Sequence, residues 1–147
     1  MDELVAASQT FRVMLLTTGA TALMAGVGAI TLSMRPRGAM WLGLLAGLQW
    51  FLLTAFLYWM RGAVLPLFEG LNLQLPLPTR FLILLSVHSP WLGPALGLVG
   101  FGLGYAARDN DSVPAVLPFL LSLTASTLLG AGALTCQAVL TLIRLLQ

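Results

Sequence analysis

The single histidine of this chain, His88, lies in the stretch SVHSPWLGP, two residues before Pro90. A histidine in this setting could ligate haem or a metal, bind a quinone or relay a proton, because its charge changes near neutral pH. It could instead donate a hydrogen bond to a backbone carbonyl freed by a kink at Pro90. A haem or metal site usually needs a second ligand, and the sequence has no other histidine. We therefore favour the kink interpretation and keep His88 as the weak candidate for binding a cofactor.

The other polar side chains of the apolar stretches indicate packing. Gln49 is expected to hydrogen-bond between helices, and Cys136 to pack as a small apolar side chain. No Asp, Glu or Lys falls inside an apolar stretch, whereas proton-coupled pumps and transporters generally keep an ionisable group at membrane depth. The sequence also has no phosphate-binding loop, dinucleotide fingerprint or metal-ligand spacing. It therefore predicts no catalytic residue, no cofactor and no metal.

The composition indicates a membrane protein. Hydrophobic residues make up 59% of the 147 residues, charged residues make up 8%, and the mean hydropathy is +0.95. A soluble domain carries about a quarter charged residues, so this surface is expected to face lipid. The net charge of +2 comes with seven scattered arginines, which form no basic stripe for nucleic acid.

Four apolar stretches predict the elements that position these side chains. They run over about residues 13–34, 40–60, 81–107 and 114–143. Each is long enough for the roughly 20 helical residues that cross about 30 Å of hydrocarbon. In the second stretch, Trp41 and Trp59 would lie about 27 Å apart, as paired aromatic belts do. We predict an all-α membrane protein with a single domain (1–147), a four-helix bundle with a short Pro-rich interfacial connection between helices 2 and 3.

Small residues recur at a spacing of four within these stretches, and such spacing lets helix backbones approach closely in lipid. The expected helix-packing residues are Gly26, Gly43, Gly47, Gly93, Gly97, Gly100, Gly104 and Gly130. Because glycine is common in membrane helices, we interpret the pattern as packing within this chain rather than as a dimer face.

The stretch PLFEGLNLQLPLPTR, residues 66–80, combines prolines, charges and alternating leucines between the second and third apolar stretches. Pro76 and Pro78 are unfavourable inside a helix, and each favours an extended residue before it. We expect the segment to lie along the membrane surface, where Thr79 would cap the third helix and Arg80 would reach lipid headgroups. The segment is either a plain linker or a partner-contact surface formed by Phe68, Glu69, Pro76, Pro78, Thr79 and Arg80.

This segment and its flanks resemble the membrane hairpin of the type II secretion system F family, the inner-membrane platform proteins of type II secretion and type IV pilus machines. The matching residues are Leu65, Pro66, Phe68, Glu69, Leu75, Pro76, Pro78, Thr79, Arg80, Leu85 and Ser86. The resemblance covers about residues 41–107 and implies a bacterial inner membrane, with the connection and both termini on the extracytoplasmic side. The family's two cytoplasmic domains, which bind the assembly motor, have no counterpart in this sequence.

Two functions remain open from the sequence. The first is a non-enzymatic integral membrane subunit or scaffold of a larger complex, of the kind that assembles secretion systems or pili. Its partners would be the lipid bilayer and other membrane subunits or a second copy of the chain, with no nucleic acid. The alternative is a small membrane enzyme or carrier for a lipid or quinone, with His88 in a pocket at the bilayer midplane.

Overall fold

Each apolar stretch forms one long helix in a computed structural model, which describes residues 2–35, 37–72, 74–110 and 112–146, without the side chain of Ser89. The helices are α1 (Asp2–Ser33), α2 (Gly38–Gly70), α3 (Leu77–Asp109) and α4 (Val116–Leu146). The predicted all-α fold class is confirmed. Helices α1, α2 and α4 are long and apolar enough to cross a membrane, and α3 is a fourth span if its two parts are counted together.

Every helix is longer than the apolar stretch that predicted it. The four helices have 31 to 33 residues, which corresponds to about 47–50 Å at a rise of about 1.5 Å per residue. α1 begins at Asp2 rather than near residue 13, and Asp2 and Glu3 lie in its first turn, where acidic side chains interact favourably with the helix dipole. Because the hydrocarbon core is only about 30 Å thick, the helices tilt or extend into the headgroup layers.

α2 continues through Pro66, beyond the apolar stretch that ends near residue 60. Proline removes one backbone hydrogen bond, the one to the carbonyl four residues earlier, which here belongs to Gly62. Gly62 is exposed near the end of α2, so its carbonyl can be solvated at the membrane surface. The helix ends at Gly70, and Asn72 then adopts a left-handed conformation with φ of 51°.

The connection between α2 and α3 is much shorter than the predicted surface segment, because only residues 71–76 lie outside the two helices. α3 begins at Leu77, with Pro76 as its N-cap and Pro78 in its first turn. Proline is tolerated there because first-turn amides have no partner within the helix. Thr79 is already helical and no side chain caps α3, so the predicted capping role of Thr79 is wrong.

α3 bends by 75° between its two parts, Leu77–His88 and Pro90–Asp109. Pro90 cannot donate the hydrogen bond that a helix makes to the carbonyl four residues earlier, and sharp kinks are characteristic of this position. The second part, residues 90–109, is about 30 Å long and could cross the hydrocarbon core alone. The first part, residues 77–88, is only about 18 Å long.

Consecutive helices alternate in direction. The C-terminal end of α1, the beginning of α2 and the α3–α4 connection meet at one end of the bundle. We call this end, with residues 33–39 and 107–116, the turn end. The opposite end, which we call the terminal end, holds the beginning of α1, the end of α2, the beginning of α3 and the end of α4. α1 packs mainly on α4, α2 packs mainly on α3, and α2 also contacts α4, which joins the two pairs.

The two halves of the bundle are packed differently. In the half nearer the terminal end, large apolar side chains from all four helices form the core, among them Phe11, Met60, Phe68, Leu82 and Ile143. In the half nearer the turn end, glycines bring the α2 and α3 backbones together. Many other leucine, valine and methionine side chains are exposed along the outer helix faces, where lipid would cover them.

Candidate functional site

The backbones of α2 and α3 approach each other closely at five glycines, Gly43 and Gly47 on α2 and Gly97, Gly100 and Gly104 on α3, which we call the glycine contact. A Cβ atom added at Gly100 would lie 2.7 Å from the Gly47 amide nitrogen and 3.0 Å from its Cα. A Cβ atom added at Gly104 would lie 2.9 Å from the carbonyl oxygen of Met40. Ordinary contacts of a Cβ atom begin near 3.4 Å, so only glycine fits this contact without moving the helices apart.

Side chains extend the glycine contact along α3. The rings of Phe51 and Phe101 stack beside it with their centroids 5.9 Å apart. One turn further, Gly93 lies against Thr54, and a Cβ atom added there would be 3.1 Å from the Thr54 Cβ. The expected packing glycines of α3 and Gly43 and Gly47 of α2 therefore lie at one continuous interface.

Gly26 and Gly130 do not lie at a helix contact, since a Cβ atom added at either would meet nothing within 4 Å. This corrects their expected packing role. Gly132, which the sequence analysis missed, lies instead against the ring of Phe56, and a Cβ atom there would be 2.8 Å from its Cζ. A spacing of four identifies residues on the same face of a helix but not the face that turns inward, and Gly132 has no glycine, alanine, serine or threonine four positions away.

Gln49 joins α2 to α4 through two side-chain hydrogen bonds, and we call Gln49, Ser122 and Ser126 the Gln49 cluster. Gln49 Nε2 donates to Ser126 Oγ at 3.3 Å, and Gln49 Oε1 accepts from Ser122 Oγ at 2.8 Å. Gln49 is 1% exposed and Ser122 is fully buried. The predicted role of Gln49 between helices is confirmed. Beside it, Trp50 Nε1 donates to the Leu121 carbonyl at 3.2 Å, a contact that the sequence did not indicate.

The remaining polar groups of the interior are also engaged. Threonines such as Thr54 and Thr135 donate to the carbonyl four residues earlier in their own helix. Among the described residues, no buried side-chain nitrogen or oxygen lacks a hydrogen-bond partner. No three His, Cys, Asp or Glu side chains in the described ranges lie close enough to hold a metal ion. The interior hydrogen bonds therefore serve helix packing.

His88 is exposed on α3 rather than enclosed in the bundle. The inward-facing positions near it are Leu82, Ser86 and Gly93, and at about 100° per residue His88 lies about 200° around the helix from Ser86. Its imidazole makes no hydrogen bond to another described residue, so the expected bond to a freed carbonyl is not formed. The structure thus differs from both interpretations of His88, because its side chain faces outwards beside the bend.

Cys136 is fully buried on α4 and belongs to the apolar core. Its thiol lies among side chains that include Val139 and Leu140 of the same helix. The prediction that it packs as a small apolar side chain is confirmed.

The expected partner-contact residues separate into buried and exposed sets. Phe68 is 4% exposed and Thr79 is 3% exposed, which corrects the expectation that both face outwards. Phe68 is buried because α2 continues through Pro66, and this places Phe68 one turn after buried Val64 on the same helix face. The exposed set is Glu69, Pro76, Pro78 and Arg80.

The exposed set brackets the short connection at the terminal end. Glu69 lies in the last turn of α2, and Arg80 lies in the first turn of α3. Leu77, between the two prolines, is 80% exposed. The connection thus presents an acidic group, a basic group and one apolar side chain outside the bundle.

A scan against models of protein families, a search of curated proteins and a search of solved structures found no match to this chain.

Proposed function

We propose that this multi-pass membrane protein is a non-enzymatic subunit that scaffolds a larger membrane assembly. The observation that supports this most directly is how the polar groups are distributed. Those inside the bundle, such as the Gln49 cluster, bond to one another or to their own helices. The α2–α3 connection instead presents two accessible charges, Glu69 and Arg80, beside two accessible prolines, Pro76 and Pro78.

The connection is suited to protein contact for two physical reasons. Pro76 and Pro78 restrict the backbone on either side of Leu77, so little conformational freedom is lost when a partner binds. Glu69 and Arg80 can each form a charge-assisted hydrogen bond, which fixes orientation more than it adds affinity. The partner would be another membrane protein that presents complementary charges at the terminal end.

The resemblance to the type II secretion system F hairpin supports a more specific proposal. Such a hairpin requires two antiparallel membrane helices with a short proline-containing connection, and α2 and α3 have this arrangement. Five of the matching residues are accessible, namely Pro66, Glu69, Pro76, Pro78 and Arg80. We therefore place the assembly in a bacterial inner membrane, as part of a secretion or pilus apparatus, with the terminal end extracytoplasmic.

Brief crosslinking in native membranes, mild-detergent purification and quantitative mass spectrometry test the proposal. The connection variant, Glu69→Gln/Arg80→Gln, is compared with the wild-type chain. The control variant, Glu3→Gln/Arg144→Gln, removes one acid and one base at exposed positions outside the connection. We expect a small set of membrane proteins at constant ratio with the wild type and the control, and a loss of roughly tenfold or more with the connection variant.

Recovery of the wild-type chain without a stoichiometric companion would refute the scaffold function. Equal recovery of companions with both variants would refute the contact surface while leaving the scaffold function standing. Recovery alone with a retained quinone would support the carrier alternative.

A further inference from the structure

The turn end contains a cavity of about 390 Å³ between the α1–α2 turn and the α3–α4 connection. The polar part of its lining is Ser33, Arg35, Arg37, Asn110 and Ser112. Among the described lining residues, none carries a carboxylate. The cavity therefore combines two permanent positive charges with neutral hydrogen-bonding groups.

The two arginines are held by a tight turn. The Arg35 amide donates to the Leu32 carbonyl at 3.2 Å, and the Gly38 amide donates to the Arg35 carbonyl at 3.0 Å. A Cβ atom added at Gly38 would collide with the Leu32 carbonyl, so the turn requires glycine there. Arg37 adopts a left-handed conformation with φ of 63°. The turn thus fixes the backbone positions of Arg35 and Arg37 beside the cavity.

No described residue neutralises either guanidinium. Arg35 and Arg37 make no ion pair or side-chain hydrogen bond with another residue in the part of the chain that the structure describes. Arg108 and Asp109, exposed in the last turn of α3, carry opposite charges and lie outside the lining. The positive charge of the cavity is therefore available to a bound anion.

The beginning of α2 adds further donors. Gly38 and Ala39 line the cavity, and α2 has no side-chain hydrogen bond from its N-cap and no acidic residue in its first turn. The Gly38 amide already donates to the Arg35 carbonyl, whereas the amides that follow it lack partners within the helix, and the positive end of the helix dipole attracts anions.

The opposite wall also presents a donor. Asn110 Oδ1 accepts from the Ser112 amide at 3.0 Å and from Ser112 Oγ at 2.6 Å. With its oxygen engaged twice, Asn110 offers its Nδ2 group, which can only donate. Guanidinium, amide and backbone donors thus converge on one cavity.

We propose that this cavity binds a phosphate group, the headgroup phosphate of an anionic membrane lipid. Arginine pairs bidentately with phosphate, and helix N-termini bind it through backbone amides. Trp41, 52% exposed one turn inside α2, is the type of residue that marks the headgroup level. Inorganic phosphate has the same chemistry, and a competition experiment separates the two sources.

The full-length chain, purified in detergent, is titrated with phosphatidylglycerol or phosphatidylcholine and analysed by native mass spectrometry. The test variant is Arg35→Gln/Arg37→Gln, and the control Arg12→Gln/Arg144→Gln removes the same charge from exposed positions elsewhere. We expect the Kd for phosphatidylglycerol to rise about fivefold per lining arginine and about 30-fold for both. The control should stay within about twofold. If the double variant fails to fold, the single variant Arg35→Gln, which leaves the left-handed residue Arg37 intact, tests the fivefold rise in Kd.

Equal phosphatidylglycerol affinity of the wild type and Arg35→Gln would overturn the proposal. An equal loss of phosphatidylglycerol affinity in the control would also overturn it, because general surface charge would then explain the binding. So would phosphatidylcholine binding as tightly as phosphatidylglycerol to the wild type. Displacement of lipid by millimolar inorganic phosphate would show that the cavity binds phosphate and would assign it to free phosphate. Failure to displace would assign it to lipid.

Discussion

The glycine contact predicts that a single methyl group at Gly100 destabilises the bundle. In Gly100→Ala the new Cβ atom would lie 2.7 Å from the Gly47 amide nitrogen, which is backbone and cannot rotate away. Reaching the 3.4 Å at which ordinary contacts begin requires α2 and α3 to separate locally by about 0.7 Å, since 3.4 − 2.7 = 0.7. A gap of this size loses about a quarter to a half of each neighbouring dispersion contact. We expect a loss of about 1–3 kcal/mol, the usual cost of overpacking a core.

Gly102→Ala is the matched control. Gly102 lies on the same helix two residues away, and a Cβ atom there would meet nothing within 4 Å. Both substitutions raise the intrinsic helix propensity by up to about 1 kcal/mol, so propensity cancels in the comparison. The difference between the two variants therefore isolates the contact between α2 and α3.

The single cysteine provides the assay. Cys136 is fully buried, so a thiol-reactive fluorophore labels it only when the bundle opens during a thermal ramp. At about 2–4 °C per kcal/mol, the midpoint of Gly100→Ala should fall about 2–12 °C below that of Gly102→Ala. Equal midpoints for the two variants, or a higher midpoint for Gly100→Ala, would show that the helices are not in backbone contact there.

The same assay tests two further sites. Gln49→Leu should lower the midpoint by about 2–14 °C, because it removes two interhelical hydrogen bonds and such bonds in membranes contribute about 0.6–1.7 kcal/mol each. Replacing Ser122 and Ser126 by alanine in the same chain should recover most of the loss, since no polar partner then remains unpaired; a further fall would contradict the Gln49 cluster. Phe68→Ala should lower the free energy of unfolding by about 2 kcal/mol or more and the midpoint by about 4–8 °C. Glu69→Ala should change the midpoint by about 2 °C or less. A neutral Phe68→Ala would place Phe68 outside the core.

The existence of the helices could be predicted from the sequence, but their ends could not. Long apolar stretches are required wherever a helix crosses hydrocarbon, so the four helices were recognisable from the apolar stretches of the sequence. Outside the hydrocarbon a helix needs no apolar side chains, and the polar first turns of α1 therefore went unrecognised. The second apolar stretch ends near residue 60, whereas α2 continues through Pro66, because one lost hydrogen bond near a solvated end does not end a helix.

The inward faces of the helices were the less predictable part. In lipid both faces of a helix are apolar, so hydropathy does not distinguish core from surface. The sequence therefore suggested Gly26 and Gly130 as readily as Gly100, although only Gly100 lies at a contact. Gln49 was easier to assign, because an amide at membrane depth must find a partner. The turn-end cavity went unnoticed because Arg35 and Asn110, 75 positions apart in sequence, meet only in the fold.

The pairing of α1 with α4 means that the bundle closes only after α4 has been synthesised. The end of α1 at Ser33 and the start of α4 at Val116 are separated by 82 residues, since 115 − 33 = 82. At about 5–20 residues per second, α1 waits roughly 4–16 s for its main partner. During that interval α1 must remain in the bilayer without its main partner, while α2 and α3 can already pair as a hairpin. A chain interrupted before α4 would therefore keep the glycine contact but expose the inner face of α1, which gives membrane quality control a surface by which to recognise it.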